Sequence, residues 1–168
     1  MAACKLTLLG GFDLEAAGGG KLTLPTRKDR LLLAYLALSA GKPQARGRLA
    51  GLLWGDRAEA QARDSLKQAL AGIRQAFRQV DLDPVHSDRE SVTFGLDSIE
   101  VDAVEFARQA TAAGTCGEAV TMYRGDLLDG MDGVTSEFEE WLHPSANGSA
   151  TSPYVWWSSW PSHPRRMR

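Results

Sequence analysis

An α+β architecture follows from three features of the sequence. Short, loosely alternating apolar segments separated by glycines open the chain. Helical periodicity then dominates from about Pro25 to Val80. Two short β-like runs follow at once, before the pattern turns helical again from Asp102. The 168 residues suffice for one ordinary domain or two small ones. A composition of 43% hydrophobic and 24% charged residues excludes a wholly disordered chain, a fibrous repeat or a coiled coil.

The opening strands are expected at Lys5–Leu9, Phe12–Glu15 and Lys21–Leu24, broken by Gly10-Gly11 and Gly18-Gly-Gly20. Strands this short need a helix over their apolar face. Pro25-Thr26 opens a first helix capped by Thr26; it runs through Leu38 and stops at Gly41 and Pro43. A second helix is expected over Arg46–Trp54, ending at Gly55, and a longer third from about Ala58 to Val80. Leu53 and Trp54 read as core. Val85–Ser87 and Ser91–Phe94 form a small hairpin around Asp88-Arg89-Glu90. Asp102 caps a further helix ending near Gly114, Glu118–Tyr123 gives another, Asp126–Met131 a turn, and Ser136–Leu142 the start of one more. Three helices with the third followed by a hairpin is the order of a winged helix-turn-helix with N-terminal β-strands.

Charge is segregated along this order. Residues 25–80 carry 11 Lys and Arg against four acids, net +7, whereas residues 81–142 carry three against 15, net −12. The basic block suits a polyanion; the acidic block repels one and must have another partner. The longest unbroken apolar run, Leu31–Leu38, is too short to span a membrane, which needs about 20 residues, and no leader opens the chain. Cys4 and Cys116 are isolated, so a cytoplasmic setting without metal or cofactor is expected. Nor is an enzyme: His86, His143 and His163 are far apart, and no phosphate loop or nucleophile elbow occurs. Glu137, Glu139 and Glu140 read as a solvated helix edge.

The third helix has a face suited to double-stranded DNA. Ala62, Leu66, Ala69, Leu70, Ile73, Phe77 and Val80 fall on one stripe at roughly 100° per residue. Arg63, Lys67, Arg74 and Arg78 share a band beside it, with Ser65, Gln68 and Gln75 further round. Arg and Lys reach guanine edges or phosphate, and Gln reads adenine. Arg27 at the start of the first helix, and Arg46 and Arg48 at the start of the second, are placed to strengthen phosphate binding there. Arg89 at the hairpin tip is placed for the backbone or the minor groove, with Asp88 and Glu90 blunting the attraction.

Leu52-Leu-Trp-Gly-Asp56, Ala62-Arg-Asp-Ser-Leu-Lys-Gln-Ala-Leu70 and Ile73-Arg74 resemble the DNA-binding domain of the actinobacterial antibiotic regulatory proteins. Val101-Asp102 with Phe106, Tyr123-Arg-Gly-Asp-Leu-Leu-Asp-Gly130 and Glu137-Phe-Glu-Glu-Trp-Leu142 resemble the start of that family's bacterial transcriptional activation domain. The resemblance implies an OmpR/PhoB-type winged helix over 1–97 and the start of an all-α, tetratricopeptide-like domain over 98–142. It also implies binding to direct-repeat promoter sites, side by side as a homodimer, and recruitment of RNA polymerase holoenzyme to pathway-specific genes, often of antibiotic biosynthesis. It places base and phosphate contact on Arg63, Ser65, Lys67, Gln68 and Arg74. Gly72 stands where many relatives carry a polar or basic residue, and a mid-helix glycine costs about 1 kcal/mol against alanine.

After Leu142 the resemblance stops. Residues 143–168 hold no acid, four prolines and three of the five tryptophans, without helical or strand periodicity. This tail is expected to be largely disordered, as an out-of-frame or degenerate end is; the alternative is a real tail whose Trp cluster docks on a partner. Helical repeats need neighbours to bury their faces. Residues 102–142 are therefore expected to leave Leu127, Leu128, Phe138 and Trp141 under-covered, giving weak activation and self-association. The rival reading is a protein-interaction adaptor that uses the acidic helices and does not bind DNA.

Overall fold

Cys4 and Leu6 are buried and Lys5 exposed along the first strand, the period-two alternation of a half-buried strand. The computed structural model describes residues 2–111, 124–131 and 135–142. In chain order its elements are β1 (Cys4–Thr7), β2 (Asp13–Ala16), α1 (Arg27–Leu38), β3 (Gln44–Ala45), α2 (Arg46–Trp54), α3 (Glu59–Arg78), β4 (Val85–Ser87), β5 (Ser91–Phe94), β6 (Ile99–Val101), α4 (Asp102–Thr111) and α5 (Ser136–Leu142). The expected helix at Glu118–Tyr123, Cys116 and the tail 143–168 lie outside the described residues.

β1 is the centre of a three-stranded sheet. It pairs antiparallel with β2, Leu6 opposite Leu14, and parallel with β6, Leu6 opposite Val101. The third strand therefore comes from residues 99–101, across the boundary expected at 97/98. The strand expected at Lys21–Leu24 is reduced to a bridge between Lys21 and Glu15 and a hydrogen bond from Leu22 N–H to Leu14 O. Pro25, which lacks an N–H, and the helix cap beside it end the pairing there.

Thr26 starts α1 through a reciprocal cap: its hydroxyl accepts from Asp29 N–H and the Asp29 carboxylate accepts from Thr26 N–H, both at 3.1 Å. Leu31 to Ala37 are buried without interruption, so α1 is enclosed on all sides, between α2, α3 and β5. Ala40 and Gly41, both at positive φ, turn the chain out of the helix. α3 buries Ala62, Leu66, Ala69, Leu70, Ile73, Ala76 and Phe77, and ends before Val80, which is half-buried beyond it. Phe77 meets Phe94 at 5.8 Å between ring centres, tying α3 to the hairpin. That hairpin, β4–β5, gains a third strand, since β3 pairs with β5.

The chain after β6 returns to the strands and helices that precede it. Leu127 bridges Leu9 and Gly11, Gly10 N–H donates to Asp126 O, and Leu128 N–H donates to Leu8 O. Thr135 accepts from Phe138 N–H at the start of α5 and donates its hydroxyl to Leu52 O of α2. Trp141 lies against Tyr35 of α1 (4.6 Å) and against Phe138 (5.1 Å). The expectation of under-covered apolar residues is thus corrected. Leu127, Leu128 and Phe138 are buried and Trp141 is half-buried, because the segment after β1, α1 and α2 cover them in place of further helical repeats. Among the described residues no helix is long and apolar enough to cross a membrane, and no group of His, Cys, Asp or Glu is arranged for a metal ion.

Candidate nucleic-acid interface

The side of α3 opposite its buried stripe is open. Gln61, Asp64, Lys67, Gln68, Ala71, Gln75 and Arg78 are all exposed, and they span an arc of roughly 120° at 100° per residue. The arc has two chemically different edges. Arg63, Lys67 and Arg78 line one, while the amides of Gln61, Gln68 and Gln75 line the other. Short Ala71 keeps the middle of the face low.

The cationic edge lies beside the hairpin, because Arg74 crosses to it. Its guanidinium donates to Val85 O (3.3 and 3.4 Å) and to the Ser87 hydroxyl (2.6 Å). Arg74 is thus half-buried and holds β4 against α3. Arg63 is ion-paired to Glu59 one turn earlier at 2.6 Å, with both side chains exposed. Lys67, Gln68 and Arg78 have no partner among the described residues. Ser65 is half-buried on the other flank; it donates to Gln61 O and accepts from Arg57 at 2.9 Å. Arg57, in the turn before α3, was not singled out from the sequence, since only this contact places it beside the helix.

The arginines at the helix starts divide in the same way. Arg27 donates to Gly130 O (3.2 Å), and Arg46 donates to Asp88 O (3.4 Å). Arg48 is exposed beside Tyr35; burial pushes the Tyr35 hydroxyl up, and the neighbouring guanidinium opposes that rise. Ala45 and Ala58, which precede α2 and α3, provide no side-chain cap; the Arg46 N–H that begins α2 is taken by Glu90 O, so the first turn of α3 is the more open of the two to an anion. Lys28 is held over the Trp54 ring at 5.7 Å and pairs with Asp56. Arg89 is exposed at the hairpin tip.

Of the ten residues expected to contact DNA, the structure therefore brings Arg63, Lys67, Gln68 and Arg78 onto one exposed face. Arg48, in α2, and Arg89, at the hairpin tip, are exposed. Ser65, Arg74, Arg27 and Arg46 are engaged within the protein.

No family model matches this sequence, and no curated protein matches it. Among solved structures, Mycobacterium tuberculosis EmbR, in complex with a low-affinity phosphopeptide, is similar in fold, with a TM-score of 0.65 at 20% identity. The match covers 78% of this chain and 38% of EmbR, so this chain spans well under half of that protein's length. The mixed arrangement of helices and small sheets described above is thus one that EmbR shares.

Proposed function

We propose that this chain is a sequence-specific DNA-binding transcriptional regulator that lays α3 in the major groove of double-stranded DNA. The exposed arc of α3 carries the reading: cations on one edge, amides on the other, apolar side buried. In this arrangement Lys67 and Arg78 reach phosphate or guanine, and Gln68 and Gln75 read adenine edges. The uncapped starts of α2 and α3 meet phosphates flanking the groove. The fold shared with EmbR supports the architecture. The finer assignment rests on the resemblance of the motifs at 52–74 and 101–142. The protein is a pathway-specific activator in the bacterial cytoplasm, binding direct repeats as paired copies and recruiting RNA polymerase.

Fluorescence anisotropy on a promoter fragment with a direct repeat, and on a scrambled one, tests this across a salt series. The expected result is repeat-specific binding whose log–log salt slope is about −0.9 per phosphate neutralised. Weak affinity that is equal on both fragments and insensitive to salt contradicts it, and favours an adaptor that uses the exposed acids Glu137 and Glu140 of α5.

A further inference from the structure

A carboxylate beside the exposed Arg89 is, on charge alone, a hindrance to any approach to phosphate. The geometry of Asp88 gives it a different task. Its Oδ1 accepts the backbone N–H groups of Glu90 (2.8 Å) and Ser91 (2.7 Å), and its Oδ2 accepts the Ser91 hydroxyl (3.0 Å). Its own N–H closes the hairpin on Ser91 O at 3.0 Å. These donors hold the carboxyl below the usual range, so it is ionised and strongly bonded at neutral pH. A side chain folded back on the two following N–H groups is a local device that fixes a turn.

The fixed turn is tied to both helices of the helix-turn-helix. Arg46, the first residue of α2, donates its backbone N–H to Glu90 O (2.8 Å) and its guanidinium to Asp88 O (3.4 Å). Arg74 of α3 holds the strand leading to the tip through Val85 O and the Ser87 hydroxyl. Arg89 itself is exposed and has no partner among the described residues. We infer that Asp88 is a positioning residue: it pre-forms the hairpin tip so that Arg89 is presented to DNA at a distance from α3 set by Arg46 and Arg74. A tip ordered in advance avoids the cost of ordering it on binding. This inference rests on the DNA-binding reading above.

The sign of one substitution separates positioning from simple repulsion. The full chain selects a duplex from a randomised pool, and its variants are then compared on that duplex by anisotropy, with melting curves alongside. Arg89→Ala weakens binding about tenfold. Asp88→Ala also weakens it several-fold, although a negative charge has been removed. Asp88→Asn keeps a carbonyl acceptor for the turn and binds at least as tightly as the parent. Glu90→Ala, whose carboxylate has no partner among the described residues, reports the pure charge effect and tightens binding. In the Asp88→Ala background, Arg89→Ala adds less than about twofold, because the two act as one unit. Where melting shows that Asp88→Ala is unfolded, Ser91→Ala replaces it. That variant leaves every charge in place, removes one of the bonds to Asp88, and should bind about twofold more weakly. Tighter binding by Asp88→Ala, additive losses with Arg89→Ala, or an unaffected Ser91→Ala each overturn the positioning role. An Arg89→Ala variant that binds like the parent, while Lys67→Ala is weakened, overturns the role of the tip and leaves the α3 reading standing. A pool that yields no duplex overturns both.

Discussion

Gly10 and Gly125 meet backbone to backbone: a Cβ on Gly125 stands 2.8 Å from Gly10 Cα, and one on Gly10 stands 2.9 Å from the Arg124 carbonyl oxygen. Both glycines also hold positive φ, 83° and 154°. Segment 124–131 settles on residues 8–11, just after β1, at this spot, so the close approach is part of what docks that segment. Alanine at either position is expected to lower stability by about 1–3 kcal/mol through forced displacement, beyond the conformational strain. Gly19 provides the control, with φ of 81° and nothing within 4 Å of its Cβ. Urea unfolding of the three alanine variants should show clearly larger losses at 10 and 125; equal losses at all three would mean that strain alone matters.

Asp102 performs a comparable fastening with a buried charge. Its carboxylate is 7% exposed and accepts Leu8 N–H (2.8 Å), Leu9 N–H (3.1 Å) and Ala103 N–H (2.7 Å). Burial raises its carboxyl above the ordinary range, and the three donors oppose that rise without cancelling it. The folded state therefore holds a proton more readily than the unfolded chain. The group's contribution is full below the ordinary carboxylate pKa of about 3.9 and declines as pH rises through the folded value. Asp102→Ala orphans three buried backbone donors, at a cost of about 1–3 kcal/mol each. The gap in stability between parent and variant should narrow from acid toward neutral pH. Denaturant unfolding at several pH values checks this, and a gap that widens with pH would show the hydrogen bonds outweighing burial.

These two fastenings mark where the sequence stops being readable. α1 was legible because its signals are local: Thr26 and Asp29 lie three residues apart, and Gly41 and Pro43 follow the last apolar turn. α2 and the buried stripe of α3 were legible for the same reason, as 3.6-residue periodicity is written within each helix. β3 was not, since two residues carry no period and Gln44 finds Val92 only in the folded chain. Nor was the pairing of β6 with β1, which joins Ile99 to Cys4. Asp102 read as a cap for its own helix, but its long-range partners are Leu8 and Leu9. At the candidate interface, periodicity identified which face of α3 carries Arg63, Lys67, Arg74 and Arg78. It does not say what stands opposite each side chain, so it gave no sign that Arg74 holds Val85 and Ser87.

Gly72 is a place where the protein should accept more stability. It lies inside α3 at an ordinary helical φ, where Pro25 and Asp29 of the α1 start approach. An added Cβ meets the Pro25 ring at 3.6 Å and the Asp29 carboxylate at 3.8 Å, ordinary contact distances. Gly72→Ala should therefore gain up to about 1 kcal/mol from helix propensity, seen as a melting temperature raised by about 2–4 °C. DNA affinity should hold, because residue 72 lies off the exposed arc. A lowered melting temperature would mean that α1 and α3 need the closer approach.

On that arc, Arg63 and Lys67 differ in one respect that affinity should report. Arg63 is held by Glu59, whereas Lys67 has no partner among the described residues. An exposed pair one turn apart is worth only about 0.3–0.5 kcal/mol, so a phosphate can displace Glu59 at that small cost. Lys67→Ala should thus weaken DNA binding more than Arg63→Ala does. Each loss should flatten the log–log salt dependence by about 0.9 if a phosphate contact is removed. Glu59→Gln releases Arg63 and should tighten binding about twofold, the factor equivalent to the pair's own energy. Anisotropy titrations over a salt series measure all three. An unchanged Glu59→Gln, together with an Arg63→Ala variant of parental affinity and slope, would place Arg63 outside the interface and shift its cationic edge to Lys67 and Arg78.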